Sequence, residues 1–351
     1  MFGFGRKLKQ WVALFIVGAS LAGLVAACGP SDSPQGGGTS TEAKPDAEIT
    51  LVSFAVTKAA HDAIIPLFKE KWQQEHNQNV IFKQSYGGSG SQTRAVIDGL
   101  EADVVHLALA TDVDKIAEAG LTSPEWATKA PNNGIVSKSV AAIITRDGNP
   151  KNIKTWDDLA KPGNTFITAN PKTSGGARWN FLVLWGAKAQ TGSTPEQAKE
   201  FVAAAYKNVP ILAKDAREST DVFAKQGQGD ALVNYENEVI LANLNNENLT
   251  YIVPDVNISI DNPIAVVDKN AEKHGTQEVA QAFVEFLYTP EAQKEFAKVG
   301  FRSVDPGVEK EFATQFPPIK TLFTVQDLGG WEKVNKEFFA DGAIFDQIYT
   351  K

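Results

Sequence analysis

The sequence predicts an α/β protein in which mostly parallel β-sheets are flanked by helices. Strand-like and helix-like segments alternate along the chain, which is typical of parallel sheets covered by helices. The length of 351 residues, with 43% hydrophobic and 22% charged residues, suits two globular domains with sizeable cores. Several strands also lead directly into helices at short polar corners. Because ligands of open α/β sheets bind beyond the carboxyl ends of the strands, we expect two lobes to enclose a ligand in a cleft.

The predicted strands are short apolar runs bounded by turn residues. They cover residues 48–54, 79–84, 103–108, 140–145, 164–168, 209–214 and 230–234. The predicted helices carry apolar side chains at helical spacing, and capping residues mark some of their starts. They cover residues 57–76, 92–100, 177–190, 194–206 and 221–227, and the spacing of Val279, Phe283, Phe286 and Leu287 marks another. No internal repeat of fixed period is present.

The most informative stretch covers residues 170–180 and reads NPKTSGGARWN. Its glycine pair, Gly175 and Gly176, stands where a loop meets a helix-forming run. The first N–H groups of a helix have no intrahelical partner and carry a positive partial charge, so such a junction can hold an anion. Ser174 adds a hydroxyl donor. A second junction of this kind, YGGSGSQ at residues 86–92, suggests one shared site, although either corner alone is also compatible with a plain turn.

Two further strand-to-helix corners lack glycine pairs. Residues 213–220 precede a short helix for which Ser219 or Thr220 is the expected N-cap. Residues 234–238 open another helix and contribute the phenol of Tyr235, which can donate a hydrogen bond.

Arg178 and Arg217 follow two of the corners, and we expect solvation or carboxylate pairing for them rather than ligand contact. Glu236 and Glu238 diverge at a helix start, which favours a structural role over an acid/base pair.

The net charge and the single cysteine restrict the function. The formal net charge is −8, and loss of an N-terminal segment carrying Arg6, Lys7 and Lys9 lowers it to −11, which argues against a nucleic-acid partner. The basic residues precede an apolar stretch and the sequence VAAC at residues 25–28, which resembles a bacterial lipoprotein signal. We therefore predict a signal peptide at 1–27 and lipid attachment at Cys28. An uncleaved membrane anchor and an ordinary signal peptide remain alternatives.

The segment after Cys28 is predicted to be a flexible tether. Residues 28–46 are rich in Gly, Ser, Pro and Thr and carry no large apolar side chain, so they can bury almost nothing. Such a tether would separate a lipid anchor from a folded body outside the cytoplasm.

Signatures of catalysis and of metal binding are missing from the sequence. The GGSGS run at residues 87–91 lacks the final glycine of a nucleophile elbow, and neither a phosphate-binding P-loop nor a dinucleotide fingerprint occurs. His61, His76, His106 and His274 are scattered, and we expect His106, in an apolar strand, to be a satisfied core residue. The sequence thus predicts a binding protein without catalytic residues, cofactor or metal.

From about Glu48 to the C-terminus the chain resembles the bacterial sulfate- and thiosulfate-binding proteins that serve ABC importers. The motifs that carry the resemblance are QSYGGSG at 84–90, DVVHLALA at 103–110, the 170–180 stretch, YENE at 235–238 and GGW at 329–331. The resemblance implies a type II periplasmic binding fold with two lobes. It assigns 47–126 and 236–290 to one lobe and 127–235 and 291–351 to the other, with crossings near Trp126, Tyr235 and Pro290. It leaves open whether the C-terminal part packs across both.

The resemblance also implies a set of ligand-binding residues. Sulfate would be held by the Ser174 hydroxyl, by the side chain of Tyr235, and by the backbone N–H groups of Ala55, Ser89, Gly175, Gly176 and Ala216. Family members carry aspartate where this chain has Ala55 and tryptophan where it has Tyr235. The first difference is harmless if only the N–H is used. The second matters, because a phenol both donates and accepts hydrogen bonds whereas an indole N–H only donates.

By this resemblance the protein is a monomeric extracytoplasmic receptor that delivers sulfate to a membrane permease. Two alternatives remain, a different anion and a different class of function. Thiosulfate, or another tetrahedral oxyanion such as molybdate or phosphate, could be the ligand, particularly if Tyr235 accepts as well as donates. The protein could also be an extracytoplasmic hydrolase of sulfated or phosphorylated substrates that uses Ser89 or Ser174 as nucleophile. This alternative is less consistent with the sequence, because no adjacent base is evident.

Overall fold

The structure is a computed structural model and describes residues 44–349. The predicted signal peptide, Cys28 and residues 28–43 of the predicted tether lie outside the described residues. Within 44–349, no helix combines the length and the apolar character needed to cross a membrane.

Two five-stranded sheets form the framework. Twelve strands are present in the described residues: β1 (Ala47–Phe54), β2 (Val80–Gly87), β3 (Val104–His106), β4 (Ile135–Ser139), β5 (Ala141–Thr145), β6 (Phe166–Ala169), β7 (Leu212–Ala213), β8 (Ala231–Tyr235), β9 (Thr250–Ile252), β10 (Val256–Ile258), β11 (Ile260–Val266) and β12 (Thr321–Phe323). The first sheet has the order β2-β1-β3-β11-β4 and the second has the order β7-β6-β8-β5-β9, while β10 and β12 form a separate pair. Each sheet with its helices is one lobe of a type II periplasmic binding fold.

Helices connect and cover the strands. The described residues contain α1 (Lys58–His76), α2 (Ser89–Ile97), α3 (Ala110–Glu118), α4 (Gly175–Ala189), α5 (Pro195–Lys207), α6 (Ala216–Ala224), α7 (Glu236–Leu244), α8 (Asp268–His274), α9 (Gln277–Phe286), α10 (Pro290–Lys298), α11 (Pro306–Glu311), α12 (Gly330–Val334) and α13 (Ile344–Ile348). Two shorter elements matter below: a 3₁₀ turn at Ala55–Thr57 and a π-helical turn at Asn335–Phe339.

The strand pairing explains where the polar corners meet. In the first sheet β1 pairs in parallel with β2 and β3, and in the second sheet β6 pairs in parallel with β7 and β8. The strands β11 and β4, and likewise β5 and β9, join their sheets in antiparallel pairs. Because β1, β2 and β3 point the same way, as do β6, β7 and β8, the corners after them lie at one edge of each sheet.

The two lobes divide the chain differently from the predicted boundaries at three places. Helix α10, predicted in the second lobe from residue 291, packs on the first, where Gln293 Nε2 donates to the carbonyl oxygen of Val136 at 2.8 Å. Ile135–Ser139 pairs in the first sheet, although the predicted boundaries assign it to the second lobe, and Thr250–Ile252 pairs in the second sheet. The chain passes from the first sheet to the second at Val140, between β4 and β5. Residues 135–145 contain neither glycine nor proline, so local sequence gives no sign that a single residue separates strands of different sheets.

Three helices begin earlier than their sequence patterns indicate. Helix α2 begins at Ser89 rather than Gln92, and α4 begins at Gly175 rather than Ala177. The glycine pair of α4 is therefore the first helical turn itself. Helix α6 begins at Ala216 because Asp215, and not Ser219 or Thr220, is its N-cap. The Oδ1 atom of Asp215 accepts the N–H of Glu218 at 2.9 Å.

The C-terminal segment packs on the second lobe. The ring of Phe181 in α4 lies 5.6 Å from that of Phe338, 5.4 Å from Phe339 and 6.2 Å from Phe345. These aromatic contacts fix residues 330–348 against α4, the helix that begins with the glycine pair.

Candidate anion-binding site

All seven predicted ligand-binding residues line a single small cavity between the two sheets. Ala55 and Ser89 follow strands of the first sheet, and Ser174, Gly175, Gly176, Ala216 and Tyr235 follow or end strands of the second. The remaining lining residues are Phe54, Val56, Gly87, Gly88, Ala108 and Asp215. The structure thus brings together corners that are up to 180 residues apart in the sequence.

The cavity is lined by the amino-terminal ends of helices. Ser89 is the first residue of α2, Gly175 and Gly176 open α4, Ala216 opens α6, and Ala55 opens the 3₁₀ turn after β1. First-turn N–H groups have no intrahelical acceptor. Among the described residues, the N–H groups of these five donate to no acceptor in a turn or loop and to no side chain. Five backbone donors at the starts of helical segments therefore border one space.

Gly88 and Gly175 lie where the two lobes are in close contact, and neither position has room for a side chain. A Cβ atom on Gly175 would lie 2.6 Å from Cβ of Ala108, and one on Gly88 would lie 2.5 Å from the carbonyl oxygen of Thr173. In both places a glycine of one lobe meets an atom of the other. Neither glycine has a positive φ, so backbone conformation is not the reason for glycine here. A side chain at either position would keep the lobes apart.

The two serines of the cavity differ in what their hydroxyls can do. Ser89 Oγ donates to Asp112 Oδ2 at 2.7 Å and accepts the N–H of Ala108 at 3.0 Å, so this hydroxyl is fully used within the first lobe. Ser174 Oγ accepts the N–H of Ala177 at 3.3 Å as the N-cap of α4. Its proton has no acceptor within hydrogen-bonding distance among the described residues, and it is free to donate.

Tyr235 is fully buried, and its hydroxyl has no hydrogen-bond partner among the described residues. A Cβ atom on Gly176 would lie 3.2 Å from this hydroxyl oxygen, which puts the phenol beside the first turn of α4. Burial, with the nearby carboxylates of Glu238 and Asp112, holds the pKa of Tyr235 well above its ordinary value, and the side-chain amide of Asn262 beside the hydroxyl opposes that rise. The phenol is therefore protonated at neutral pH and can donate. An unsatisfied buried hydroxyl is costly unless a ligand completes it.

The size of the cavity restricts the ligand to a compact one. The volume of the cavity is about 10 Å³, whereas pockets for drug-sized ligands measure roughly 300–1,000 Å³. Asp215 is the one charged residue among the described residues that line it. A small anion held by uncharged donors fits this combination of size and lining.

Apart from Asp215, the charged residues at the corners after the strands form ion pairs and do not line the cavity. Arg217 donates from Nε and Nη2 to the two oxygens of Glu238 at 2.9 and 2.7 Å. Arg302 binds Glu236 in the same bidentate way, at 2.7 and 3.1 Å. Burial raises the pKa of Glu236, and the Arg302 guanidinium opposes that rise. These ion pairs agree with the structural role that the sequence predicts for Glu236 and Glu238.

Arg178 also points away from the cavity. Its Nε donates to the carbonyl oxygen of Pro171 at 3.0 Å and its Nη1 donates to Oδ1 of Asn335 at 3.0 Å. The guanidinium thus joins the 170–176 loop to the C-terminal segment. Neither of the two arginines near the corners lines the cavity.

The histidines lie outside the cavity too. His61 Nε2 and His106 Nδ1 are 3.1 Å apart in the core of the first lobe, and His61 Nδ1 is 3.1 Å from the Tyr86 hydroxyl. Burial, with the charge of Lys58, lowers the pKa of His61 to about 3, and burial lowers that of His106 well below its ordinary value. His106 is a core residue as expected, but its hydrogen-bonding groups are not all satisfied, because its Nε2 has no partner among the described residues.

No group of three or more metal-binding side chains occurs within residues 44–349.

Sequence reasoning missed two residues that shape the site. Asp215 caps α6, and an aspartate directly before the ARES sequence was the available signal. Asp112, which fixes Ser89, gave no signal because it lies 23 residues away in α3 and meets Ser89 only in the folded chain.

The fold and the cavity define the class of protein. Two α/β lobes that enclose a small, donor-lined space between helix N-termini are the architecture of a solute-binding protein. The sequence model described as "Bacterial extracellular solute-binding protein" matches residues 49–302. The chain therefore belongs to the bacterial extracellular solute-binding proteins.

Individual relatives agree with this family. The chain is 59% identical to a sulfate-binding protein of Synechococcus elongatus over 92% of this chain and 91% of the relative. It is 37% identical to a thiosulfate-binding protein of Pseudomonas aeruginosa over 90% of this chain and 95% of that one. Its fold matches the sulfate-binding protein SubI of Mycobacterium tuberculosis H37Rv with a TM-score of 0.78 and 38% identity, covering 84% of this chain and 99% of SubI.

Proposed function

We propose that this protein captures sulfate in the cavity between its lobes and delivers it to the membrane permease of an ABC importer. The observation that carries the proposal is that the residues of five helix-start N–H groups and the hydroxyl-bearing Ser174 and Tyr235 line one space too small for an organic ligand. Relatives named as sulfate-binding proteins, at up to 59% identity over most of the chain, support the choice of ligand.

The donors supply enough free energy without a cation. A hydrogen bond to a charged group contributes roughly 1.5–3 kcal/mol, so seven such bonds offer on the order of 10–20 kcal/mol. A micromolar dissociation constant needs about 8 kcal/mol after dehydration of the anion and closure of the lobes. In this account the ligand contacts are the N–H groups of Ala55, Ser89, Gly175, Gly176 and Ala216, the Ser174 hydroxyl and the Tyr235 hydroxyl.

Thiosulfate is the second candidate ligand, and the relative from Pseudomonas aeruginosa favours it. A protonated phosphate is less suitable, because its proton needs an acceptor, and in this account the hydroxyls of Ser174 and Tyr235 both donate to the ligand. Calorimetric titrations with sulfate, thiosulfate, molybdate and phosphate rank these ligands. We expect sulfate to bind most tightly, and a protein that binds thiosulfate more tightly than sulfate would overturn the choice.

We further propose that the protein has no catalytic activity of its own. Ser89 Oγ is already engaged by Asp112 and Ala108, and none of the four histidines, all of which lie in the described part of the chain, lines the cavity. A serine nucleophile therefore has no histidine base beside it. Incubation with p-nitrophenyl sulfate and p-nitrophenyl phosphate should give no turnover, and turnover that disappears in Ser174→Ala would contradict this.

For the location we propose an extracytoplasmic monomer that Cys28 attaches to a membrane by lipid. The family consists of extracellular proteins, and residues 25–28 have the form of a lipoprotein cleavage site. Mass spectrometry of the mature protein should show acyl groups on Cys28, and Cys28→Ala should release the protein from the membrane fraction. A mature protein without acyl groups would contradict the anchor.

A further inference from the structure

A chain of polar contacts links the anion-binding loop, the C-terminal segment and the first lobe, and none of its members lines the cavity. Asn335 Nδ2 donates to Oγ1 of Thr111 at 2.8 Å, and Asn335 Oδ1 accepts from Arg178 Nη1 at 3.0 Å. Thr111 stands in α3 of the first lobe, Arg178 in the first turn of α4 of the second. We call these three residues the interlobe latch.

The side-chain amide of Asn335 can take only one orientation in the latch. A guanidinium has no acceptor, so the amide oxygen must face Arg178 and the amide nitrogen must face Thr111. Arg178 is itself fixed by the carbonyl oxygen of Pro171 at 3.0 Å and lies over the ring of Phe339, 5.1 Å from its centre. The position of Asn335 therefore follows that of the first turn of α4.

The C-terminal segment moves with the second lobe. Lys172, in the loop before α4, donates to the carbonyl oxygen of Phe339 at 3.1 Å and to Asp346 Oδ2 at 2.9 Å. The Trp331 ring packs edge-on against Trp179 of α4, with 4.8 Å between ring centres. Together with the aromatic contacts of Phe181, these bonds make residues 331–346 part of the second lobe, so the bond from Asn335 to Thr111 crosses between lobes.

A second bond crosses between the lobes beside the latch. Trp179 Nε1 donates to the carbonyl oxygen of Ala108 at 2.9 Å, and Ala108 lines the cavity in the first lobe. Opening the cleft by separating the lobes must break both this bond and the one between Asn335 and Thr111. Both bonds are present only while α4 lies close to the first lobe.

We propose that the latch of Arg178, Asn335 and Thr111 holds the lobes closed around the anion and sets the rate at which the ligand leaves. The latch residues are positioning residues, because none of them lines the cavity. This proposal rests on the proposed function, since sulfate is the ligand whose release is measured.

Thr111→Val tests the latch most directly, because it removes the acceptor of the crossing bond while keeping the shape of the side chain. In stopped-flow measurements of intrinsic tryptophan fluorescence, we expect the sulfate dissociation rate to rise roughly three- to tenfold while the association rate changes less than twofold. Asn335→Ala should raise the dissociation rate at least as much. The double variant should add little beyond Asn335→Ala, because both changes remove one shared bond.

Lys336→Ala is the matched control, since Lys336 neighbours Asn335, is exposed and takes part in no described contact. It should leave both rate constants unchanged. Unchanged dissociation rates in both Thr111→Val and Asn335→Ala, with normal sulfate binding by the parent protein, would overturn the latch alone. These two variants could instead lose thermal stability without ligand while both rate constants stay unchanged. That result would show that the contact only stabilises the fold, and it would also overturn the latch. If the parent protein gives no sulfate signal, the proposed function fails and the latch falls with it.

Discussion

The ring of Tyr235 occupies the space that a side chain on residue 176 would need: a Cβ atom on Gly176 would lie 2.6 Å from Cε2 of Tyr235. This contact ties the last residue of β8 to the first turn of α4. It brings the phenol hydroxyl beside the Gly176 N–H, and the two groups can therefore donate to the same ligand.

The contact predicts how two substitutions of Gly176 differ. Gly176→Ala adds a methyl group that must push the Tyr235 ring aside, but it keeps the N–H. Gly176→Pro adds a similar bulk and also removes the donor. We expect both to weaken sulfate binding and Pro to weaken it further by roughly 1.5–3 kcal/mol, the contribution of one charge-assisted hydrogen bond. Equal affinities of the two variants in calorimetry would show that this N–H does not contact the ligand.

Removal of the Tyr235 hydroxyl should separate affinity from stability. Tyr235→Phe deletes a donor to the ligand, and we expect sulfate to bind roughly 1.5–3 kcal/mol more weakly. The Asn262 amide lies beside this hydroxyl but already donates to the carbonyl oxygen of Ala108 at 3.3 Å, so the loss of the hydroxyl leaves no protein group unsatisfied. The ligand-free protein should therefore be as stable as the parent or slightly more stable in urea denaturation. A clear loss of ligand-free stability would mean that the hydroxyl has a structural partner.

Arg217 is expected to contribute to stability rather than to ligand charge. Glu238 is almost fully buried and accepts from Arg217 and from Thr220. Arg217→Met would leave this carboxylate buried without a cation, which typically costs about 3–5 kcal/mol of unfolding free energy. Lys225→Met is the control at the opposite end of α6, because its pair with Asp221 is exposed and should contribute less than about 1 kcal/mol. Similar unfolding free energies for the two variants would contradict this assignment.

The buried histidine pair predicts an acid-sensitive fold. The folded-state pKa of His61 is about 3, below the 6.5 of the unfolded chain, so the unfolded chain binds an additional proton between these values. The contribution of His61 to stability is therefore complete above pH 6.5 and falls as pH decreases toward 3, by about 1.4 kcal/mol per pH unit. His61→Gln should show a shallower loss of unfolding free energy between pH 6 and pH 4. Parallel curves for variant and parent would contradict a neutral, buried His61.

Much of the site could be predicted because helix N-termini have local signatures. The glycine pair of α4 and the GGSGS run before α2 mark backbone that a ligand or another lobe approaches closely, and the structure brings both to one cavity. The helix starts were predicted two or three residues too late, because glycine and serine have low helix propensity and resemble loop residues in sequence.

The remaining features depend on contacts between distant residues. Which sheet β4 and β5 join is decided by pairing with β11 and β8, and neighbouring residues give no information on this. The link from Thr111 to Asn335 spans 224 positions and uses common polar side chains. Neither a period nor a motif marks such a contact.

Calorimetric titration of the folded body, from residue 44 onwards, with sodium sulfate tests the central claim most directly. The claim is that uncharged donors hold the dianion, so binding should need no proton. We predict saturable 1:1 binding with a dissociation constant of about 1 µM or lower, constant between pH 6 and pH 8 and independent of the ionisation enthalpy of the buffer. The absence of saturable heat, or binding that takes up a proton, would contradict it.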